Sequence, residues 1–108
     1  MKIETKYKFK DFLATPGNEI IERPGAVFMF EHIAAKVLAI HILTTKRRFP
    51  VIFEKYKDEI INLAKQKGYD LILSHVPKNN ATAISLEKGI GFTSFGETTT
   101  HYILGRVI

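Results

Sequence analysis

The sequence predicts a single α+β domain over residues 1–108, with a mixed, mostly antiparallel sheet of about six or seven strands and helices on both faces. Three observations support this class. Several segments in the first half alternate between apolar and polar residues, which is the period of half-buried strands. Apolar residues then recur at helical spacing between Pro50 and Gly68. A nearly continuous apolar run follows, and the intervening helix allows this strand to pair in parallel with an earlier one.

The N-terminal half predicts a strand, one helical turn and a three-stranded antiparallel meander. Thr15 and Pro16 break the helical turn. Pro24 and Gly25 predict a type II turn, because proline fixes φ and glycine accepts a positive φ. The predicted segments are a strand at 3–9, the helical turn at 11–14, and strands at 20–22, 27–33 and 36–44.

The C-terminal half alternates helices and strands. Pro50 suits the first turn of a helix, where its missing N–H is not needed, and Gly68 is placed to cap the end. Asn79 or Asn80 caps a second helix, which Gly89 ends. No repeat or linker is visible, so we expect one domain. The remaining predicted strands lie at 69–76, 92–95 and 102–107.

The composition is that of an ordinary soluble globular chain, with 45% hydrophobic and 25% charged residues. The absence of cysteine excludes disulfides, thiolate nucleophiles and cysteine-based metal sites. The first residues lack the apolar core of a signal peptide, and no apolar run approaches the ~20 residues that span a bilayer. We therefore expect a cytoplasmic protein without a membrane partner.

The formal net charge of +5 favours polyanionic partners, which include nucleic acid, a phosphorylated cofactor or an acidic protein. Net charge alone does not choose among them. The chain has no recognisable nucleic-acid-binding module, so a nucleic-acid partner ranks last. No metal site is predicted, because none of the scattered histidines pairs with another ligand at helical spacing; they are His32, His41, His75 and His101.

Residues 76–97 carry the most informative motif, V-P-x-N-N-x-x-A-x-x-L-E-K-x-x-G-F-x-x-x-G-E. It resembles the signature near the C-terminus of the GNAT N-acyltransferases, which move an acetyl group from acetyl-CoA to an amine. The resemblance extends over roughly residues 27–104, because the predicted order of strands and helices is also that of the GNAT fold. It implies acetyl-CoA as cosubstrate and an amine on a protein or small molecule as acceptor.

The GNAT pattern for the phosphate-binding loop is Arg or Gln, two residues, Gly, one residue, and Gly or Ala. Residues 47–52 match its arginine but neither glycine, and Pro50 removes one N–H donor. Three interpretations stay open. The side chains of Lys46, Arg47 and Arg48 replace the backbone donors, since guanidinium groups bind phosphate bidentately. Alternatively, the loop no longer binds coenzyme A, or it is simply a solvated basic loop with no ligand.

The resemblance also implies roles for individual residues. His41 is the best candidate for the base that accepts the amine proton, because its unperturbed pKa lies near neutrality. Glu31 and His32 on the neighbouring strand are runners-up, and period two places them on opposite faces. The strand that carries His41 matches the GNAT strand that splays from its neighbour to admit the thioester arm. The implied donor-site residues are Leu43, Thr45, Arg47, Arg48, Val51, Asn80 and Ala83.

Glu87 stands where many GNAT enzymes have a tyrosine that protonates the leaving thiolate. A carboxyl group donates a proton there only if burial raises its pKa, and nothing in the segment indicates burial. The region before the meander is also abbreviated, with about eight residues where GNAT enzymes have two helices. This implies an acceptor side that a second copy in a homodimer, or a partner protein, completes.

The leading hypothesis is a minimal GNAT-like N-acetyltransferase. The alternative is a catalytically degenerate GNAT-fold protein with a binding or structural role, similar to short phage-encoded members. The missing glycines, the missing tyrosine and the shortened N-terminal region favour this alternative.

Overall fold

The computed structural model describes residues 9–108. The helices are α1 (Lys10–Ala14), α2 (Phe49–Gln66) and α3 (Ala81–Gly89), and the strands are β1 (Glu19–Arg23), β2 (Ala26–Ala34), β3 (Val37–Leu43), β4 (Leu71–Pro77), β5 (Thr93–Glu97) and β6 (His101–Val107). The strand predicted at residues 3–9 lies almost wholly outside the described residues. The other predicted elements are present, and their ends agree with the prediction to within two residues.

The six strands form one sheet in the order β1-β2-β3-β4-β6-β5. β3 and β4 run parallel, joined by the α2 crossover, and all other neighbours are antiparallel. The sequence prediction of a mixed, mostly antiparallel sheet is therefore confirmed. β1, β2 and β3 form the predicted meander.

The turn between β1 and β2 is tied to the start of α2. Gly25 has a φ of 86°, as the predicted type II turn requires. Thr44 donates its hydroxyl proton to the carbonyl of Gly25 at 2.8 Å. Tyr56 of α2 donates to the carbonyl of Pro24 at 3.2 Å. These bonds fix the meander against the segment that leads from β3 into α2.

α2 begins one residue before Pro50, which lies in its first turn as predicted. The chain leaves the helix through Gly68, whose φ of 89° suits a C-terminal glycine. The side of α2 that packs on the sheet is marked by its buried residues, which are Ile52, Phe53, Tyr56, Ile60, Ile61 and Ala64.

The core lies between the sheet and the pair α2 and α3, which contact each other. The Phe28 ring meets the ring of Tyr56 edge-on at 5.7 Å between centroids. We call this side of the sheet the helix face; its most buried residues are Phe28, Phe30, Leu38, Ile72, Val76 and Leu104. Because side chains alternate along a strand, the residues between them point to the opposite side. We call that side the outer face; it carries Met29, Glu31, Ala39, His41 and His75.

Candidate active site

The parallel strands β3 and β4 separate halfway along their length. They pair only from Val37 to Ala39 on β3 and from Leu71 to Leu73 on β4. Beyond this point β3 still pairs with β2 as far as Leu43, and β4 still pairs with β6 as far as Pro77. The gap is therefore a divergence of two well-held strands, as the GNAT resemblance implies.

This divergence opens a cleft of about 630 Å³. Its walls come from the separated ends of β3 and β4, from the loop that enters α2, and from α3. Polar side chains from all four elements line it, among them His41, Thr45, Lys46, Ser74, His75, Asn80 and Glu87.

His41 lies on the β3 wall, and its Nε2 is 2.8 Å from Oε1 of Glu31 on β2. Met29 is the direct partner of His41 in the ladder, so Glu31 lies two residues along on the same face. Both side chains are a little over one third exposed. The structure thus brings together the two residues that the sequence analysis proposes for proton transfer.

Of two further histidines, His75 lies near this pair and His32 lies on the opposite face of the sheet. The His75 ring on β4 lies nearly parallel to that of His41, with centroids 6.4 Å apart, so it stands across the mouth of the divergence. His32 is on the helix face, where its Nδ1 is 2.8 Å from the hydroxyl of Tyr69. His32 does not line the cleft. The prediction that Glu31 and His32 face opposite sides is confirmed.

Of the predicted donor-site residues, Leu43 and Thr45 line the cleft at the end of β3, and Asn80 and Ala83 line it at the start of α3. Asn80 also caps α3, because its Oδ1 accepts the N–H of Ala83 at 3.2 Å. The capping role and the position beside the cleft are compatible, since a cap is fixed in place at the helix start.

The basic residues at the entry of α2 are Lys46, Arg47 and Arg48, and they do not all line the cleft. Lys46 lines the cleft, whereas Arg47, Arg48 and Val51 do not. The Arg48 guanidinium lies over the β1–β2 turn, where a Cβ built on Gly25 would be 3.3 Å from its Nη2. Val51 is 70% exposed on the outside of α2. The structure therefore presents one cation of this run to the cleft.

Glu87 is buried, so the expectation from the sequence that nothing buries this carboxyl group is wrong. It is 6% exposed, and in the described part of the chain it is the buried charged residue of the core. Burial raises the pKa of Glu87 to about 7, and a hydrogen bond from Ser74 partly opposes the rise. Its Oε1 has no hydrogen-bond partner. The missed signal was spacing: Ala83, Glu87 and Ile90 lie at i, i+4 and i+7, which is one stripe of a helix.

Behind Glu87 lies a small apolar chamber of about 50 Å³ between the sheet and the helices. Ile40, Ile42, Ser74 and Glu87 line both this chamber and the cleft, so they form the wall between the two. Apart from Ser74, Glu87 and Lys57 the chamber is lined by isoleucine and phenylalanine side chains. Sequence periodicity could place these residues in the core but could not reveal that they border the cleft.

Within residues 9–108 no three His, Asp or Glu side chains converge as a metal site would require. No helix in the same range is long and apolar enough to cross a membrane.

No family model matches the chain, and no curated protein matches it. Solved structures do match. Ard1 from Thermoplasma volcanium has a TM-score of 0.66 at 14% identity over 77% of this chain. The PaiA N-acetyltransferase from Thermoplasma acidophilum, in complex with coenzyme A, has a TM-score of 0.63 at 19% identity over 77% of this chain. The N-acetyltransferase PseH from Campylobacter jejuni, in complex with acetyl coenzyme A, has a TM-score of 0.69 at 16% identity over 98% of this chain.

This chain spans 62%, 53% and 79% of the lengths of those three chains, respectively. At such low identities the likeness establishes the fold alone. The domain has a GNAT-like fold, as the sequence predicted.

Proposed function

We propose that this chain is a GNAT-like N-acetyltransferase that transfers an acetyl group from acetyl-CoA to an amine. The observation that carries the proposal is the cleft between the diverging ends of β3 and β4, with the His41 and Glu31 pair on its wall. The same fold in a coenzyme A complex of PaiA and an acetyl coenzyme A complex of PseH supports the choice of donor.

His41 is the proposed base. When its Nε2–H donates to Glu31, the tautomer is set and Nδ1 keeps its lone pair. That lone pair accepts a proton from the acceptor amine as the amine nitrogen attacks the thioester carbonyl. Glu31 then stabilises the imidazolium that forms, because a carboxylate favours a nearby positive charge. The sequence analysis named Glu31 as an alternative base; here it is proposed as the residue that orients His41.

The donor site is proposed along the inner end of the cleft. Backbone groups at Leu43 and Thr45 would bind the amides of the pantetheine arm, and the start of α3 at Asn80 and Ala83 would border it. Lys46 is the proposed contact to the pyrophosphate, because it is the cation of the basic run that lines the cleft.

Arg47, Arg48 and Val51 have different proposed parts. Arg47 and Arg48 add long-range attraction for the anionic nucleotide, and Arg48 also holds the β1–β2 turn. Val51 is proposed to border the nucleotide from the outer surface of α2, where it is exposed.

The acceptor is proposed to be an amine of a protein or a small molecule, entering from the outer face, where His41 lies. The abbreviated region before the meander leaves few residues to build an acceptor pocket. A second copy of the chain in a homodimer is therefore proposed to complete it.

The test is titration of the purified chain with acetyl-CoA by calorimetry, followed by an acetylation assay against a panel of amines. We expect saturable binding and a rise in melting temperature with ligand concentration. Free coenzyme A should bind as well, since it carries the same phosphates. No binding at millimolar acetyl-CoA would refute the proposed function.

The second candidate is a GNAT-fold binding protein without catalysis, of the phage-encoded type. It is favoured by the position of the Arg48 guanidinium, which lies against the β1–β2 turn and not in the cleft. This candidate predicts that acetyl-CoA neither binds nor stabilises the chain, while a macromolecular partner does. The same titration therefore separates the two candidates.

A further inference from the structure

Glu87 reaches the cleft from the side opposite to His41. It lies on α3, which packs on the helix face, whereas His41 belongs to the outer face. Both line the same cleft. A molecule that occupies the gap between β3 and β4 therefore has an imidazole on one side and a buried carboxyl group on the other.

The surroundings of Glu87 do not suit a carboxylate anion. Its Oε1 is buried without a hydrogen-bond partner, and the chamber on its far side is almost wholly apolar. The one cation that lines this chamber, Lys57, is paired with Glu54 at 2.5 Å. Burying an unpaired charge costs several kcal/mol or more, so the group takes up a proton instead. The raised pKa of Glu87, about 7, agrees with this environment.

We propose that Glu87 is a catalytic acid of this cleft, which delivers its carboxyl proton to the thiolate that leaves the thioester. This inference rests on the proposed acetyl transfer and adds a second proton-transferring residue to it. Two titratable groups held in contrasting environments around one cleft are the arrangement expected for an acid and a base. Here the base is hydrogen-bonded and partly exposed, and the acid is buried.

The amine nitrogen forms a bond to the thioester carbonyl carbon, and the bond between that carbon and sulfur breaks with its electron pair on sulfur. The amine proton passes to Nδ1 of His41, and the proton of Glu87 passes to sulfur. The products are an amide and a free thiol. Proton exchange with solvent then removes the proton from His41 and restores the one on Glu87.

The decisive experiment compares leaving groups in wild type and Glu87→Gln. Glutamine keeps the size of the side chain but cannot act as an acid. The substrates are acetyl-CoA, the alkyl thioester S-acetyl-N-acetylcysteamine and an S-aryl thioacetate, whose aryl thiolate leaves without a proton. We expect the substitution to lower the rate with both alkyl thioesters by about 10²-fold, the usual contribution of a general acid, and to leave the aryl thioester nearly unaffected.

The pH dependence gives a second measurement. With wild type, kcat for the alkyl thioesters should fall towards tenfold per pH unit above the pKa of Glu87, and Glu87→Gln should lack this limb. Glu19→Gln, which alters an exposed carboxylate on β1 that pairs with Lys67, is the matched control and should behave as wild type. Equal losses with alkyl and aryl thioesters would mean that Glu87 has only a structural part. No loss with either would also overturn the inference.

Failure of the proposed function looks different from failure of this inference. If the chain is not an acetyltransferase, wild type itself neither binds acetyl-CoA nor turns over any of the three thioesters. If only the inference fails, wild type is active and the variant shows no dependence on the leaving group. Calorimetry of Glu87→Gln with acetyl-CoA should give a dissociation constant within about threefold of wild type, because the residue is not proposed to bind the nucleotide.

Discussion

His41 Nε2 lies 2.8 Å from Oε1 of Glu31, on the neighbouring strand and on the same face of the sheet. A histidine on a sheet is often simply a packed residue, and its carboxylate partner is then a surface ion pair of little energetic consequence. The position of this pair beside the divergence of β3 and β4 gives it a chemical use, because a substrate in the gap would meet the imidazole directly.

The first prediction concerns the base. His41→Gln should lower kcat for acetyl transfer by about 10²- to 10⁴-fold, the range typical of a lost general base, while acetyl-CoA still binds. His32→Gln is the matched control, since His32 lies on the helix face, where its ring is hydrogen-bonded to the hydroxyl of Tyr69. Steady-state kinetics and calorimetry measure the two effects. Equal loss of activity in both variants would show that the assignment of the base to His41 is wrong.

The second prediction concerns Glu31. Glu31→Gln keeps a hydrogen-bond acceptor for His41 but removes the charge that stabilises the imidazolium. We expect a smaller fall in kcat than for His41→Gln, because the imidazole can still accept the amine proton but the cation that forms is less stabilised. Steady-state kinetics of wild type and both variants is the measurement. An unchanged kcat in Glu31→Gln would argue that the ion pair has no part in proton transfer.

The third prediction separates the cations at the entry of α2. Lys46→Ala should weaken acetyl-CoA binding by about tenfold, as expected for one lost charge-assisted hydrogen bond. Arg48→Ala should change the affinity less and lower the melting temperature, because Arg48 packs over the β1–β2 turn. Added salt should reduce affinity in wild type more than in Lys46→Ala. The reverse ranking of the two variants would place the phosphate contact on Arg48.

Local sequence signals predicted most of the fold, because each acts within a few residues. Pro50 and Gly68 delimited α2, and Asn80 marked the start of α3. The divergence of β3 from β4 could not be read from residue patterns, since both strands remain paired to their outer neighbours and keep ordinary strand composition. Only the resemblance to GNAT enzymes implied it.

The candidate site was predictable in part for the same reason. His41 and Glu31 share a face through the two-residue period of neighbouring strands, once their register is known. Glu87 was misjudged because its burial depends on how α3 rests on the cleft, and a lone acidic residue in a short helix is usually solvated. The orientation of Arg48 likewise depends on a turn that is distant in sequence.

The fourth prediction tests the cap of α3. Asn80→Ala removes the oxygen that accepts the Ala83 N–H and should cost about 1 kcal/mol of unfolding free energy. Asn79→Ala is the matched control, because Asn80 and not Asn79 caps the helix. The Asn79 substitution should lower the unfolding free energy much less. Urea unfolding of the three proteins gives the comparison. If Asn79→Ala proved the more costly change, the helix start would have to be reassigned.

The fifth prediction follows from the sign of the Glu87 pKa shift. Because burial raises the pKa from its usual 4.5 to about 7, the folded state binds this proton more tightly than the unfolded chain. The stabilisation of the folded state by this proton is therefore complete below pH 4.5 and is lost as the pH rises through 7. It amounts to about 3 kcal/mol between those limits. Glu87→Gln cannot titrate, so its unfolding free energy should lack this component.

Urea unfolding of wild type and Glu87→Gln at pH 4, 6 and 8 isolates the effect, since all other titrating groups cancel in the difference between the two proteins. The variant should gain on wild type steadily from pH 4 to pH 8. Glu19→Gln should show no such trend, because that carboxylate is exposed and pairs with Lys67, away from the chamber beside Glu87. A difference between wild type and Glu87→Gln that stays constant with pH would mean that Glu87 keeps an ordinary pKa, which would remove the physical basis for its part as an acid.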